Sequence, residues 1–402
     1  MTVGDVDEAA AVRRLLAEIA AEIGELPELW ASAITAVRRH RFLPEVIWQW
    51  GAEGYRPLDA GTDAERWLAA AYANTSVVTQ VNDGRPPEPG RKVLPSSSAS
   101  APAIVVHMLA MTDPRPGERV LELGTGTGWN AALLAHVLGG RQVTTVEIDE
   151  ELARRAAAIL RREAPGVRVV CGDGTLGDPD GAPYDRILAT CSLSAVSPAL
   201  IRQVRPGGTI LLPWARPWLE YGLLHLTVDD HHGATGRFHP YAQFMPARGQ
   251  RLNLTVFGDV IGDDHQPDES RTTLSPYAVA GEDFAAQFAL GLLLPDVWHA
   301  WHEDPDLDGV TRRLWIATAD AASWAAVDEH EAGGDTYTVW QYGSRRLWDE
   351  ASAAWTWYTA HGQPGPGRFG MTICADGLHQ PWLDDPSTPV RLGTTGGQPA
   401  TS

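Results

Sequence analysis

The residues with the plainest chemistry stand in one run: Val120-Leu121-Glu122-Leu123-Gly124-Thr125-Gly126-Thr127-Gly128. An apolar stretch followed by glycines at alternate positions reads as a buried strand entering a tight turn whose bare backbone can approach a ligand. Trp129 stands where a dinucleotide fingerprint places its last glycine, so the spacing fits a methyltransferase loop better than a nicotinamide site. Taken alone, the motif also fits a turn that merely joins a strand to a helix. Two acids change that reading. Glu147 closes the next apolar run, where a carboxylate can accept from both hydroxyls of a ribose. Asp173, in Cys171-Gly172-Asp173-Gly174, closes the third, where it can accept from an adenine amino group. Three such features at successive strand ends predict a site for S-adenosylmethionine, with S-adenosylhomocysteine as the product.

A sulfonium methyl group needs a nucleophile held in line, roughly 3 Å from the carbon. An amine or hydroxyl acceptor must lose a proton and wants a base. A carboxylate, with a pKa of about 4, is already ionised and wants only donors to orient it. The segment ahead of the glycine loop offers Ser97, Ser98 and Ser100 and no obvious His, Glu or Asp base, a weak argument for a carboxylate acceptor. The same serines suit capping of the helix expected from Pro102, and one serine can do both.

The elements that must position these groups follow from periodicity. From residue 7 to about 41, apolar residues recur at helical spacing, and Pro27 divides them into two helices. Residues 83–90, rich in Pro and Gly, read as an exposed loop. Strands are expected at 120–123, 143–148, 167–171, 186–190 and 209–212, with helices at 130–138 and 150–162. That alternation gives an α/β fold: a Rossmann-like methyltransferase core, a mostly parallel sheet with helices on both faces. A strand at 223–228 and another near Phe244 should flank a turn at His231-His232-Gly233. The expected organisation is an N-terminal helical segment over 1–82, the methyltransferase core over 83–249, a C-terminal α+β extension over 250–385, and a disordered tail over 386–402.

Composition sets the outer limits. A chain of 402 residues exceeds one compact domain, and 44% apolar residues suffice for real cores. A formal charge of -19 argues against nucleic acid and anionic membrane as partners, although it also serves solubility. Cys171, Cys191 and Cys374 are too few and too scattered for a disulfide framework or a zinc site, no apolar run is long enough to span a bilayer, and the start Met1-Thr2-Val3-Gly4-Asp5 is unlike a signal peptide. A cytoplasmic protein without a metal is expected.

The extension is crowded with Trp298, Trp301, Trp315, Trp324, Trp340, Trp348, Trp355 and Trp357. They suit either a groove for a cyclised peptide or a core that braces the methyltransferase, and helical spacing favours the core. One helix is clear, with Leu347, Trp348, Ala351, Ala354, Trp355 and Tyr358 on one face. Arg345 and Arg346 either meet acids of a peptide or answer Glu350 and Asp349. His299 and His302 lack a third ligand nearby.

From about residue 37 to 248 the chain resembles the protein-L-isoaspartate O-methyltransferases. The likeness rests on Arg39-His40-Arg41-Phe42-Leu43-Pro44, Ser100-Ala101-Pro102, the glycine loop, Ala182-Pro183-Tyr184-Asp185-Arg186 and Gln203-Val204-Arg205-Pro206-Gly207-Gly208. The resemblance implies Ser100 as the active-site residue, with Ser98 beside it. It implies Ser97, Ser98, Gly124, Thr125, Gly126, Thr127, Gly128, Glu147, Ile148, Asp173 and Gly174 as cofactor contacts. Three departures stand out: the richness of the serine run, Asn74 where the family often has an acid, and the long extension. Gln341-Tyr342-Gly343-Ser344-Arg345-Arg346-Leu347-Trp348-Asp349-Glu350, Val78-Thr79-Gln80-Val81-Asn82-Asp83 and Ala189-Thr190-Cys191-Ser192 resemble a subgroup found with ribosomal peptides cross-linked by ATP-grasp ligases. That likeness implies methylation of an aspartate in a modified precursor peptide, leading to an aspartimide. Repair of isoaspartyl peptides is the alternative within the same chemistry. A nicotinamide oxidoreductase and a non-catalytic protein that keeps the cofactor fold are the readings from other classes.

Overall fold

The computed structural model describes residues 8–52, 54–330 and 335–392. Helices α1 (Glu8–Ile23) and α2 (Glu28–Ala36) lie where periodicity places them, on either side of Pro27. α1 buries the stripe Ala11, Val12, Leu15 and Ile19.

The N-terminal segment is not purely helical, which corrects the expectation for 1–82. It holds β1 (Val46–Gly51), β2 (Gly54–Asp59), α3 (Ala64–Ala71) and β3 (Val77–Val81). The serine run itself forms β4 (Pro95–Ala99), completing an antiparallel sheet of order β2-β1-β3-β4. Serine is a poor strand former in isolation. Here the ladder with β3 imposes the extended backbone, pairing Val77 with Ala99 and Val78 with Ser98.

The core continues with α4 (Pro102–Thr112), β5 (Val120–Leu123), α5 (Trp129–Leu138), β6 (Val143–Glu147), α6 (Glu150–Glu163), β7 (Arg168–Cys171), β8 (Tyr184–Ala189), α7 (Pro198–Arg202), β9 (Val204–Ala215), β10 (Glu220–Val228) and β11 (Ala234–His239). β5 pairs in parallel with both β6 and β8, so the strand order reverses beside it. A ligand crevice is expected at such a switch point, outside the carboxyl ends of the strands. The closing strand is β11 and not a run at Phe244, which lies in a segment without strand structure. The turn expected at His231 is present: the Asp229 Oδ1 accepts from the amides of His231 (2.7 Å) and Gly233 (2.9 Å).

After residue 250 come β12 (Asp268–Thr272), α8 (Pro276–Ala280), α9 (Phe284–Leu293), β13 (Val297–Glu303), β14 (Val310–Thr318), β15 (Trp324–His330), β16 (Tyr337–Tyr342), α10 (Leu347–Ala360), β17 (Phe369–Ile373) and β18 (His379–Leu383). Five of these strands form an antiparallel sheet of order β12-β16-β15-β14-β13. β17 and β18 instead return to the core and extend its sheet to the order β18-β17-β11-β10-β9-β8-β5-β6-β7. One face of the smaller sheet, with Leu314, Ile316, Val327 and Val339, shares a single apolar cluster with Leu212, Phe238, Phe288, Tyr358 and Met371. The core sheet and the extension are therefore packed on each other, because β11 would be a bare apolar edge without β17.

Most tryptophans are core. Trp298, Trp315 and Trp324 cluster with Val260 on the second face of the smaller sheet, and Trp348 belongs to the larger cluster. α10 buries Leu347, Trp348, Ala351, Ala354 and Tyr358, the face read from spacing, with Trp355 partly buried. The 341–350 stretch is a corner between β16 and α10: the Gln341 Oε1 accepts from the Trp348 amide at 2.8 Å. Arg345 pairs with Glu350 and Asp296, and Arg346 pairs with Asp268. Of the expected tail, Val390 is buried and its amide donates to the Pro381 carbonyl at 2.8 Å. Residues 393–402, also in that expectation, lie outside the described residues.

One buried cation ties the N-terminal sheet together. Arg39 is 1% exposed and has no carboxylate partner among the described residues; its guanidinium donates to the carbonyls of Ala71, Ala73, Thr75, Ala99 and Ser100 at 3.0–3.2 Å. Burial lowers its pKa to about 9, still high enough to keep it charged at neutral pH. A lysine has no planar fork to span five carbonyls. Arg39→Lys should therefore cost about 3–5 kcal/mol in urea unfolding; a loss below about 1 kcal/mol would show that the carbonyl cradle is not what holds this sheet.

Candidate functional site

A cavity of about 340 Å³ opens at the switch point and is lined by the serine run, the glycine loop and the ends of β6 and β7. It falls within the range common for small-molecule sites, about 300–1,000 Å³. Its walls include Ser97, Ser98, Ser100, Gly124, Thr125, Gly126, Thr127, Glu147, Ile148, Asp173 and Gly174. Of the residues singled out from the sequence, Gly128 alone is absent from the wall. It starts α5 at φ +88°, and a Cβ there would meet Leu160 at 3.2 Å, so it serves close helix packing.

The glycine loop is held by the acid beyond it. The Glu147 Oε2 accepts from the Gly126 amide at 2.8 Å and its Oε1 accepts from the Asp149 amide at 3.1 Å. A carboxylate oxygen has a second lone pair, so capacity remains for a ligand's hydroxyls. Gly126 takes φ +51°, and a Cβ added to it would point toward Ser97 Oγ at 3.7 Å, into the cavity floor. At Gly124, φ +92°, a Cβ would lie 2.9 Å from Thr190 Oγ1. Asp173 uses one oxygen locally, accepting from the Thr175 amide (2.9 Å) and hydroxyl (2.8 Å).

Beneath the loop, Glu122 is fully buried, and its carboxyl accepts from Asn130 (2.6 Å) and Thr145 (2.5 Å). Burial pushes it up to about 7 against the effect of those two bonds. It is a brace for α5 and β6. Cys191 also lines the cavity, but burial and then the nearby Glu147, Glu122 and Asp173 push its thiol up to about 12. It stays uncharged and is no nucleophile.

The serines divide. The Ser96 hydroxyl donates to Gln80 Oε1 at 2.8 Å, and Ser97 accepts from Thr79 at 3.4 Å. The hydroxyls of Ser98 and Ser100 have no hydrogen-bond partner among the described residues, and both line the cavity. Neither caps α4. That task falls to Asn74, whose Oδ1 accepts from the Ala103 amide at 2.8 Å while its amide group donates to Glu22 at 2.7 Å. The capping alternative is thus removed, and Ser100 is left free to meet a ligand. Neither His nor Lys appears among the cavity-lining residues.

Sequence reasoning missed one segment of the cavity. Residues 243–249 and Arg251 form part of its wall, hydrogen-bonded through Ser192, which donates its amide to the Met245 carbonyl and accepts from the Ala247 amide. Arg248 pairs with Asp149 at 2.9 Å and Asp83 at 3.2 Å, and Arg251 pairs with Asp83 at 3.0 Å. Burial works to raise the Asp149 carboxyl, but hydrogen bonds from Gln80, the Leu152 amide and Arg248 together hold it below its usual range. A relay results: Arg248 holds Asp149, the Asp149 amide holds Glu147, and Glu147 holds the glycine loop. Two arginines three residues apart in an acidic chain were the available signal.

Among the described residues no group of His, Cys, Asp and Glu is arranged to hold a metal, and no helix is long and apolar enough to cross a membrane.

Residues 65–222 match the family model described as Protein-L-isoaspartate(D-aspartate) O-methyltransferase (PCMT). The protein-L-isoaspartate O-methyltransferase of Pyrococcus horikoshii is 36% identical over 152 residues, 38% of this chain and 69% of that one. Protein-L-isoaspartate O-methyltransferase 1 of Nitrosospira multiformis is 31% identical over 243 residues, 59% of this chain and 86% of that one. A solved protein-L-isoaspartate O-methyltransferase superposes with a TM-score of 0.53 at 19% identity, covering 93% of this chain and 100% of its own. That superposition reaches into the extension, so a long C-terminal region alone does not set this chain apart from proteins of that name.

The relay makes a prediction that needs no methyl acceptor. Arg248→Gln should raise the calorimetric Kd for S-adenosylhomocysteine roughly tenfold, the effect of one charge-assisted bond, with Arg248→Lys partly restoring it and the thermal midpoint little changed. An unchanged Kd would show that the clasp does not act on the cavity.

Proposed function

We propose, from the premise that this chain belongs to the protein-L-isoaspartate O-methyltransferase family, that it esterifies the side-chain carboxylate of an aspartyl residue in a peptide. The chain is a carboxyl O-methyltransferase that depends on S-adenosylmethionine. The observation that supports the choice of acceptor is the pairing of Ser98 and Ser100 hydroxyls, unpartnered among the described residues, with a cavity wall that offers neither His nor Lys and whose carboxylates, Glu122, Glu147 and Asp173, already accept from the protein itself.

The residues present fit that cofactor. Glu147 would accept from its ribose hydroxyls, Asp173 from its adenine amino group, and the glycine loop, with Ser97, Ser98, Thr125, Thr127, Ile148 and Gly174, would line its path. When bound it supplies an electrophilic methyl group on a sulfonium. Ser100 would donate to one oxygen of the acceptor carboxylate and leave the other aimed for in-line attack. Carboxylate and sulfonium charges both vanish as the C–O bond forms and the C–S bond breaks, so a cavity that excludes water lowers the barrier. The clasp of Arg248 and Arg251 in the cavity wall serves that exclusion. No proton needs to move, which is why no base is required.

The finer reading is an aspartate in a ribosomally made, cross-linked precursor peptide. The methyl ester is then open to attack by the next backbone amide nitrogen: a C–N bond forms, the amide proton is lost, and methanol leaves, giving an aspartimide. Neutral Asn74, committed to capping α4, supports this reading where the family often has an acid. The names of the relatives favour a second reading, repair of isoaspartyl residues. Initial rates on an unstructured isoaspartyl peptide and on a cross-linked aspartyl precursor should differ at least tenfold in kcat/KM in favour of the precursor. Turnover of the isoaspartyl peptide alone would assign repair instead.

A further inference from the structure

A second cavity, of about 320 Å³, lies beside the first and meets it at Pro246 and Arg251, which line both. It sits at the seam between the core sheet and the extension. Glu220, at the start of β10, forms one side, and Asn253, Trp298 and His299 form others. Nothing in the carboxyl-methylation chemistry uses it.

Its polar groups are unbalanced. The Glu220 carboxylate has neither a hydrogen bond nor an ion pair among the described residues. Although the residue is solvent-accessible, the cavity walls partly desolvate the carboxyl and raise its pKa, against the opposing charge of Arg251. Arg251 is not free to neutralise it, being held by Asp83 at 3.0 Å and by the Ser96 carbonyl at 3.2 Å. Burial holds the His299 imidazole down to about 4, so it is neutral at pH 7, and its buried Nδ1 has no partner. The Glu220 carboxylate thus stands without a charge partner among the described residues, beside the Trp298 indole. A partly desolvated carboxylate in a cavity favours a ligand that brings the opposite charge to it. Here that is positive charge and N–H donors, carried on an apolar stem that can lie along Trp298.

We propose that the second cavity is a substrate subsite for a lysine or arginine side chain near the acceptor carboxylate in the same peptide. The inference rests on the reading of the first cavity as a peptide-carboxylate site. A peptide crossing Pro246 places one side chain in each cavity, and the chain's charge of -19 draws a basic peptide toward it. The extension thereby acquires a role in choosing the substrate, through Trp298 and His299 on β13.

The test uses the cross-linked aspartyl precursor and isoaspartyl peptides, each varied at a single flanking position to carry lysine, its neutral isostere norleucine, or glutamate, scanned over the three positions on either side of the acceptor. With the full-length enzyme and saturating S-adenosylmethionine, lysine at one position should lower KM about tenfold relative to norleucine, with kcat unchanged and glutamate worse than both. Glu220→Gln should erase that difference while leaving the Kd for S-adenosylhomocysteine as it was. Equal KM for lysine and norleucine at every position, or a lysine preference that survives in Glu220→Gln, would overturn the subsite. If none of the peptides is methylated although S-adenosylhomocysteine binds, the peptide-acceptor reading itself falls and takes the subsite with it.

Discussion

The buried Arg39 guanidinium sets the geometry on which the rest depends. An unpaired cation in a protein interior is costly, and five carbonyl dipoles are what make it tolerable here. Those carbonyls come from three places: the end of α3, the approach to β3 and the end of β4. Holding them at once fixes where the serine strand ends and therefore where Ser100 stands. Trp129 seals the arrangement from the other side, its ring 5.5 Å from the guanidinium and its indole N–H donating to the Val37 carbonyl at 3.0 Å. Because Trp129 opens the helix after the glycine loop, the serine side and the glycine-loop side of the cavity are anchored to the same cation.

The extension acts on this cavity by being part of the same body. β17 and β18 cover the edge of the core sheet, and β13–β16 share its apolar cluster. The chain passes from one to the other through residues 243–254, which first line the switch-point cavity and then the second one. A single segment thus touches both candidate sites and the extension. Asp83 takes both arginines of the clasp, so the loop after β3 is tied to the same segment.

Sequence alone revealed what is local. The glycine loop, Glu147 and Asp173 each sit at the end of an apolar run, so the parallel sheet and its ligand edge could be read directly from strand and turn chemistry. Helix α10 was legible because its apolar face repeats at helical spacing. Apart from the β1–β2 hairpin, the main misses are contacts between distant residues. β4 was hidden because serine has little strand preference until β3 supplies a ladder. The cap on α4 comes from Asn74, 29 positions away, where no local rule points. β17 and β18 look like any strands of an extension until their partner is known to be β11. No local rule points from Arg248 and Arg251 to their acids, which lie in a loop and at a helix start far back in the chain.

The central claim is that the cavity at the switch point is a methyl-donor site with Glu147 as its ribose acceptor. Titration calorimetry of the wild-type chain and of Glu147→Ala with S-adenosylhomocysteine tests it most directly. The account predicts one saturable site in the wild type and roughly hundredfold weaker binding in the variant, the loss of a pair of charge-assisted hydrogen bonds. No binding by the wild type, or equal affinity in the variant, would contradict it.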